Sequence, residues 1–135
     1  MTLTDAGALV ALIDKNQPQS KKCRTTFPTL SLPLITTWPA FTEAAYLLYR
    51  IGGWPLQRSL WKYVENGVLT FHNHNEAEQK RMRELMEQYL DIPMDLADAS
   101  LVVSAETLNL ARIFTLDSDF YSYRISSGGA FEVLP

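Results

Sequence analysis

Short segments of β-strand character alternate with helical segments along the chain, and this alternation is the strongest constraint on its fold. Apolar and β-branched segments predict strands at residues 2–5, 32–38, 68–71, 112–116 and 130–134. Apolar positions at three- and four-residue intervals predict helices at 6–14, 39–51, 55–66, 75–90 and 95–109. No hairpin signal joins consecutive strands. The predicted fold class is therefore α/β, a three-layer α/β/α sandwich with a central, mostly parallel sheet.

Length and composition predict one globular unit. The chain has 135 residues, 47% of them hydrophobic, and no internal repeat or linker, so we expect a single domain over residues 1–135. Cys23 is the only cysteine, which excludes an intramolecular disulfide and a cysteine-rich zinc site. The N-terminal residues lack a signal-peptide pattern, and no apolar run approaches the length of a membrane span. We therefore expect a cytoplasmic protein that does not associate with membranes.

Acidic side chains follow two of the predicted strands. Asp5 closes the first strand, and Asp117 closes the strand at 112–116, with Asp119 two residues later. Open parallel sheets bind ligands at the carboxyl ends of their strands, which makes these ends the candidate site. Asp119 also suits an ordinary turn, because Asp-Ser-Asp favours Asx-type geometry.

Three further acids lie near the starts of predicted helices. Glu43 and Asp98 each interrupt an apolar helical run, where a lone buried acid is costly without a partner. Asp95 and Asp98 are three residues apart and hence on one helix face. Asp95 is equally suited to a simple capping role at the helix start. The settings of Glu43 and Asp98 favour one site shared with the strand-end acids.

A cluster of carboxylates requires a compensating cation. Crowded carboxylates repel one another, and their pKa values rise unless a cation neutralises them. Oxygen ligands without cysteine select a hard ion, so Mg²⁺ or Mn²⁺ fits better than Zn²⁺. Such ions can activate water and stabilise the leaving oxygen of a phosphodiester. The acids thus predict metal-dependent phosphoryl transfer or hydrolysis.

Sequence motifs around these acids resemble those of a known family. The motifs are LTDAGALVALID, TTWPAFTEAAYLL, MDLADASLVVSAE and IFTLDSDFYSYR. The match holds for their order and spacing and covers essentially the whole chain. They resemble the PIN-domain ribonucleases and, among these, most closely the VapC toxins of type II toxin–antitoxin systems.

The resemblance implies a PIN-like fold and a Mg²⁺-dependent endoribonuclease that hydrolyses RNA. The acids it implies as catalytic and metal-binding residues are Asp5, Glu43, Asp98 and Asp117. Thr115 matches a threonine that orients a metal-bound water in relatives. Asp95 and Asp119 match positions that are often acidic, which suggests supporting roles.

The resemblance also implies protein partners, namely a small antitoxin and a second copy of the chain in a homodimer. The helix that carries Tyr46, Tyr49 and Arg50 is the expected contact region. We interpret the aromatic residues of this region as core and interface anchors rather than as base-stacking residues. The residues concerned are Trp38, Trp54, Trp61, Tyr46, Tyr49 and Tyr63.

The densest basic cluster is Lys21, Lys22 and Arg24, in a polar stretch at 15–28 that predicts a loop with at most a short helix. Such a cluster is usually a solvated surface, but it is also a candidate contact for RNA phosphates.

Two further features suggest chemistry that the local sequence does not support. His72 and His74 have a spacing that occurs in metal sites, but their flanking asparagines favour solvated loop histidines. Cys23 lies between two basic residues, but no base is placed near it, and we expect a lone surface thiol.

The net charge needs a second interpretation once the acids are grouped. The value of −3 argues against a general electrostatic nucleic-acid binder. If the six acids named above form one metal pocket, however, 12 basic residues remain against 9 acidic ones. The negative charge is then a property of the site rather than of the whole surface.

The residues leave other functions open. The chain could be an RNA-processing PIN nuclease without an antitoxin, or a non-catalytic module that binds RNA or protein. Non-catalytic relatives typically lose acids from the site, whereas this chain keeps all four. A phospho-accepting receiver domain also gathers aspartates around Mg²⁺, but it needs a late lysine, and no lysine follows Lys80.

Overall fold

The computed structural model describes residues 1–135 and contains five strands and six α-helices. Two short 3₁₀ turns, at Phe27–Thr29 and Ser118–Tyr121, complete the regular structure. In chain order, the elements are β1 (Thr2–Thr4), α1 (Ala6–Ile13), α2 (Ser20–Thr26), β2 (Leu34–Thr36), α3 (Trp38–Gly52), α4 (Trp54–Glu65), β3 (Leu69–Phe71), α5 (Glu76–Gln88), α6 (Leu96–Leu108), β4 (Arg112–Phe114) and β5 (Glu132–Leu134).

The strands form one parallel sheet in the order β3-β2-β1-β4-β5. The central strand is β1, where Leu3 is paired with Ile35 of β2 on one side and with Ile113 of β4 on the other. Because all strands run the same way, their carboxyl ends meet at one edge of the sheet. The predicted α/β fold with a parallel sheet is confirmed.

Helices cover both faces of the sheet and form two cores. Consecutive strand residues point to opposite faces. In β2, Leu34 faces the core under α1, α3 and α4, whereas Ile35 faces the core under α5 and α6. In β4, Phe114 faces the core under α1, α3 and α4, and Ile113 faces the core under α5 and α6. Near-continuous apolar strands are typical of a sheet buried on both faces, and they produce the predicted three layers.

Local signals determine where helix α3 begins and ends. The Thr37 side chain accepts a hydrogen bond from the Ala40 N–H at 3.3 Å, and Pro39 lies in the first turn, where its missing N–H costs nothing. Gly53 ends the helix with φ of +72°, a conformation that glycine adopts without strain. Thr37 Oγ1 also lies 2.6 Å from Ser100 Oγ, so the start of α3 is fixed against α6.

The structure corrects one prediction in the stretch 15–28. This stretch contains the short helix α2, and Cys23 within it is fully buried rather than a surface thiol. Ser20 and Cys23 are three residues apart and face the core, while Lys21, Lys22 and Arg24 point to solvent. Because the stretch is mostly polar, its sequence did not predict that this narrow face of the helix is buried.

The three tryptophans of α3 and α4 are more exposed than core anchors would be. Trp38 stacks on Phe71, with ring centroids 4.0 Å apart, yet Trp38, Trp54 and Trp61 remain 47%, 49% and 36% exposed. A core role is therefore wrong for these tryptophans, whereas Tyr63 is half-buried and packs against the core under α1, α3 and α4. The interface role stays a prediction. None of the helices combines the length and the apolar character needed to cross a membrane.

Candidate metal centre

Two acids of the candidate site follow neighbouring strands. Asp5 comes directly after β1 and caps α1, where its Oδ1 accepts a hydrogen bond from the Ala6 N–H at 2.7 Å. Asp117 follows β4 and caps the next 3₁₀ turn, where its Oδ1 accepts from the Asp119 N–H at 2.9 Å. The Asp5 N–H donates to the carbonyl of Phe114 at 3.0 Å, which joins the two strand ends.

Helix α6 brings the third acid to the same edge. Asp95 caps this helix and accepts a hydrogen bond from the Asp98 N–H at 2.8 Å. Carboxylate oxygens of Asp5, Asp98 and Asp117 lie within 4.8 Å of one another. Asp5 and Asp98 are 7% and 5% exposed, so two of the three carboxylates are largely removed from water.

These acids line a cavity of about 270 Å³. The lining residues are Asp5, Gly7, Glu43, Asp95, Asp98, Leu116 and Asp117. Glu43 is exposed on α3 and lies outside the close group of Asp5, Asp98 and Asp117. Its apolar neighbours in sequence suggested a buried acid, and that interpretation is wrong. Asp119 does not line this cavity; its backbone N–H supports Asp117 from the adjacent turn.

Neighbouring hydroxyl groups hold the buried carboxylates in place. Thr115 Oγ donates to Asp5 Oδ2 at 2.9 Å and accepts from the Asp117 N–H at 3.0 Å. Tyr123, which is fully buried, donates from its hydroxyl to Asp98 Oδ2 at 2.7 Å. The sequence interpretation did not include Tyr123, because its position after the turn at 118–121 gives no local sign of contact with α6.

The electrostatics of the cavity disfavour several negative charges at once. Burial raises the pKa of Asp5 from 3.8 to about 6, against the opposing effect of the Thr115 and Ala6 hydrogen bonds. Burial also raises the pKa of Asp98, and the charges of Asp95, Asp5 and Asp117 add to this effect. The pKa of Glu43 is raised by desolvation and then by the charge of Asp5. Without a cation, the cavity favours partial protonation.

The donor set fits a hard divalent cation. Three carboxylates offer only oxygen ligands, which Mg²⁺ and Mn²⁺ prefer, and a cation would offset the burial and the charge repulsion that raise the pKa of Asp5. Asp5, Asp98 and Asp117 are the residues that would hold it. Glu43 and Asp95 line the same cavity without joining this close group.

A second cavity, of about 210 Å³, adjoins the acidic one. The two share Leu116 and Asp117, and Lys22 and Tyr121 line the second. Of the predicted basic cluster, Lys22 reaches this region, whereas Lys21 and Arg24 do not line it.

The two histidines are not solvated loop residues, and that prediction is wrong. His72 and His74 are half-buried, and their rings are 5.1 Å apart. His72 Nε2 lies 2.6 Å from Glu78 Oε2, and His74 Nε2 lies 3.1 Å from the Ser100 carbonyl oxygen. Burial lowers the pKa of His74. The asparagines around them indicated a loop correctly, but the loop is folded against α6.

Comparisons with known proteins agree with this fold. No family model matches the chain. It is 25% identical over 134 residues, or 98% of this chain and 99% of the relative, to ribonuclease VapC26 of Mycobacterium tuberculosis strain ATCC 25618 / H37Rv.

Two solved structures share the architecture. The crystal structure of M. tuberculosis VapC20, a sarcin-ricin loop cleaving toxin, matches with a TM-score of 0.85 at 16% identity, over 100% of both chains. A chain of a toxin–antitoxin complex from Klebsiella pneumoniae matches with a TM-score of 0.67 at 16% identity, over 89% of this chain and 90% of that one. The resemblance to VapC-type PIN-domain ribonucleases, first inferred from the four motifs, is therefore confirmed.

Proposed function

We propose that residues 1–135 form a single PIN domain that acts as a Mg²⁺-dependent endoribonuclease and hydrolyses RNA phosphodiester bonds. The observation that carries this proposal is the convergence of Asp5, Asp98 and Asp117 within 4.8 Å in one partly buried cavity. The similarity to ribonuclease VapC26 over 98% of the chain supports RNA as the substrate class.

Each residue of the cavity has a distinct role in the proposed reaction. Asp5, Asp98 and Asp117 would hold the cation, and Glu43 would add negative charge at the side of the cavity formed by α3. Bound Mg²⁺ supplies charge neutralisation at the scissile phosphate and lowers the pKa of water. Thr115 and Tyr123 keep the Asp5 and Asp98 carboxylates in one orientation through their hydroxyl groups.

The RNA strand would approach through the second cavity. Lys22 lines that cavity together with Asp117, which also lines the acidic one. A cation there would bind a backbone phosphate next to the scissile one, and it would offset the negative potential that otherwise repels RNA. Tyr121, in the same lining and 63% exposed, offers a ring on which a base could stack.

We also propose that the enzyme is the toxin of a type II module, inhibited by a small antitoxin protein. The fold match to a chain of a toxin–antitoxin complex supports this role.

We further propose a homodimer. Helices α3 and α4 expose several large aromatic side chains, and exposed aromatic clusters are typical of protein interfaces. The residues concerned include Trp38, Tyr46, Tyr49 and Trp54.

The nuclease proposal is tested by removing one carboxylate charge. Asp98→Asn keeps an oxygen that can accept from Tyr123 but removes a cation ligand, and we expect RNA cleavage to fall to background while the circular dichroism spectrum is unchanged. Asp91→Asn, an exposed acid outside the cavity, is the matched control and should cleave normally. Full activity of Asp98→Asn would refute the assignment.

Expression in cells separates the functions that remain open. A toxin should arrest growth as the wild-type chain and not as Asp98→Asn. Metal-dependent cleavage in vitro with harmless expression would favour an RNA-processing nuclease without an antitoxin. RNA binding with no cleavage in Mg²⁺ or Mn²⁺ would favour a non-catalytic module. The dimer is tested separately, by light scattering of the wild-type chain and of a Tyr46→Ala, Tyr49→Ala variant.

A further inference from the structure

A second group of metal-ligating side chains lies outside the acidic cavity. His72 and His74 are in the connection between β3 and α5, and Glu78 is in the first turn of α5. Their ligand atoms lie within 4.8 Å of one another, and the side chains of His72 and Glu78 are only 16% and 11% exposed. Strand β3 is at the edge of the sheet, separated from β1 and Asp5 by β2.

The connection that carries the histidines is fixed at several points. The His72 N–H donates to the Thr36 carbonyl at 3.0 Å, which continues the strand pairing. Asn73 Oδ1 accepts from the Trp38 indole N–H at 3.1 Å. Asn75 caps α5 by accepting from the Glu78 N–H at 2.9 Å. The two imidazoles are therefore held on an ordered backbone.

The Glu78 carboxylate is oriented by donors on both of its oxygens. Oε1 accepts from the Asn75 N–H at 3.2 Å in a capping box, and Oε2 accepts from Thr107 Oγ1 at 3.0 Å. Oε2 also lies 2.6 Å from His72 Nε2. Because other donors already orient the carboxylate, binding an ion there would mainly change its contact with His72.

His74 has the hydrogen-bond pattern of a metal-bound histidine. Its Nε2 lies 3.1 Å from the Ser100 carbonyl oxygen and 3.0 Å from Ser104 Oγ. The carbonyl can only accept, and the Ser104 hydroxyl donates its own proton to that carbonyl at 2.8 Å, so Nε2 carries the proton. Nδ1 then keeps the lone pair that a metal ion needs. Metal-ligating histidines usually donate their other ring N–H to a carbonyl or carboxylate in this way.

We propose that His72, His74 and Glu78 form a binding site for a borderline transition-metal ion of the Zn²⁺ class, distinct from the Mg²⁺ site. Two imidazole nitrogens and one carboxylate suit Zn²⁺ or Co²⁺, whereas Mg²⁺ prefers the all-oxygen set of Asp5, Asp98 and Asp117. The two sites are therefore separated by ligand chemistry as well as by position.

Binding changes the contact between His72 and Glu78. Two ligands of one tetrahedral ion are roughly 3.3 Å apart at Zn–N and Zn–O distances of about 2.0–2.1 Å. The present 2.6 Å contact therefore opens, and the proton shared by His72 and Glu78 leaves to solvent. The ion would tie the connection after β3 to α6 through Ser100, on the helix that also carries Asp98.

Cobalt absorption provides the first test. We would titrate Co²⁺ into an untagged chain carrying Asp98→Asn and Asp117→Asn, which removes two carboxylates of the other site. We expect one Co²⁺ per chain, with visible absorption bands of nitrogen coordination. In this background, a further Glu78→Gln substitution keeps the side-chain oxygen that accepts in the capping box but removes the carboxylate charge. It should weaken Co²⁺ binding about tenfold or more. Adding Glu76→Gln, in the same helical turn, should leave affinity unchanged.

A second measurement needs no substitution. The chain has two histidines, so both imidazoles can be followed by NMR in the wild-type protein. We expect the first equivalent of Zn²⁺ to shift the resonances of both rings and excess Mg²⁺ to shift neither. Absence of a Zn²⁺ effect on the rings, or equal Co²⁺ affinity in the Glu78→Gln and Glu76→Gln variants, would show that the group is only a structural hydrogen-bond network.

Discussion

Thr115 Oγ donates a 2.9 Å hydrogen bond to Asp5 Oδ2, although the two residues are 110 positions apart in the chain. The same hydroxyl accepts from the Asp117 N–H at 3.0 Å. Thr115 is 1% exposed, so no water replaces either contact. One buried side chain therefore fixes the relative positions of two carboxylates that belong to neighbouring strands.

Replacing this hydroxyl should weaken metal binding without unfolding the chain. Thr115→Val keeps the shape but leaves the Asp117 N–H and Asp5 Oδ2 without a partner, at a cost of about 1–3 kcal/mol in unfolding free energy. We expect the Mg²⁺ concentration for half-maximal cleavage to rise about tenfold. Thr115→Ser keeps the hydroxyl and should stay close to wild type; equal defects in both variants would contradict the role of the hydroxyl.

Tyr123 is a positioning residue for Asp98. Tyr123→Phe removes the 2.7 Å hydrogen bond but keeps the ring in its packing against Phe120 and Tyr89. We expect about a tenfold loss of Mg²⁺ affinity, measured by calorimetry, with the fold retained. Tyr121→Phe, at an exposed neighbouring position, is the matched control for metal affinity. A purely structural role would lower the free energy of unfolding and leave metal affinity unchanged.

The pH dependence of the free energy of unfolding should show the cost of burying the Asp5 carboxylate. Its pKa is about 6 in the folded protein against 3.8 in the unfolded chain, so the folded state binds the proton more tightly. Between about pH 4 and pH 6 the unfolded chain releases this proton first, so the metal-free protein loses about 3 kcal/mol of stability as the pH rises. Asp5→Asn should lack this loss and be more stable at neutral pH.

This effect is measured by urea unfolding in chelator, comparing the wild-type chain with Asp5→Asn across the pH range. Mg²⁺ competes with the proton for the carboxylate, so its stabilising effect should grow as the pH rises through 6, where Asp5 loses its proton. A difference between the two proteins that stays constant with pH would contradict the burial of a costly charge at this position.

The basic cluster should contribute unequally to RNA binding. Lys22 lines the cavity beside Asp117, whereas Lys21 and Arg24 do not. Lys22→Ala should lower RNA affinity and reduce the slope of log affinity against log salt by about 0.7, the value for one phosphate contact on a single strand. Lys21→Ala and Arg24→Ala are the matched controls. The triple variant with an unchanged salt slope would reject phosphate binding by this helix.

The buried thiol of Cys23 should react slowly. It is fully buried on the inward face of α2, and burial raises its pKa, which lowers the fraction of reactive thiolate. We expect a thiol reagent to modify the folded chain far more slowly than the urea-unfolded chain. Rapid labelling of the folded protein would show that α2 opens readily from the core.

Much of the fold was predictable because its signals are local. Apolar periodicity located the five strands and five of the six helices, and Pro39 and Gly53 marked the ends of α3. The remaining helix, α2, lies in the stretch 15–28, where the sequence only allowed a short helix. Such signals act between residues a few positions apart, within one turn or one strand. The strands came out shorter than predicted, at three residues each, because pairing in the sheet defines their ends.

Burial of individual side chains was less predictable. Glu43 has apolar neighbours in sequence and is nonetheless exposed, whereas Cys23 has basic neighbours and is fully buried. Which face of a helix turns inward depends on the element packed against it. A helix as short as α2 has too few turns for its periodicity to reveal that face.

The sequence by itself determined the class of fold and the edge of the sheet at which the acids gather, because strand ends and helix starts are encoded by adjacent residues. Only the tertiary structure decided which acids have carboxylate oxygens within a few ångströms of one another and which hydrogen bonds hold these carboxylates. The hydrogen bonds from Thr115 to Asp5 and from Tyr123 to Asp98, and the approach of Glu78 to His72, join segments through packing. Contacts of this kind follow from how helices and strands dock, and no local pattern records them.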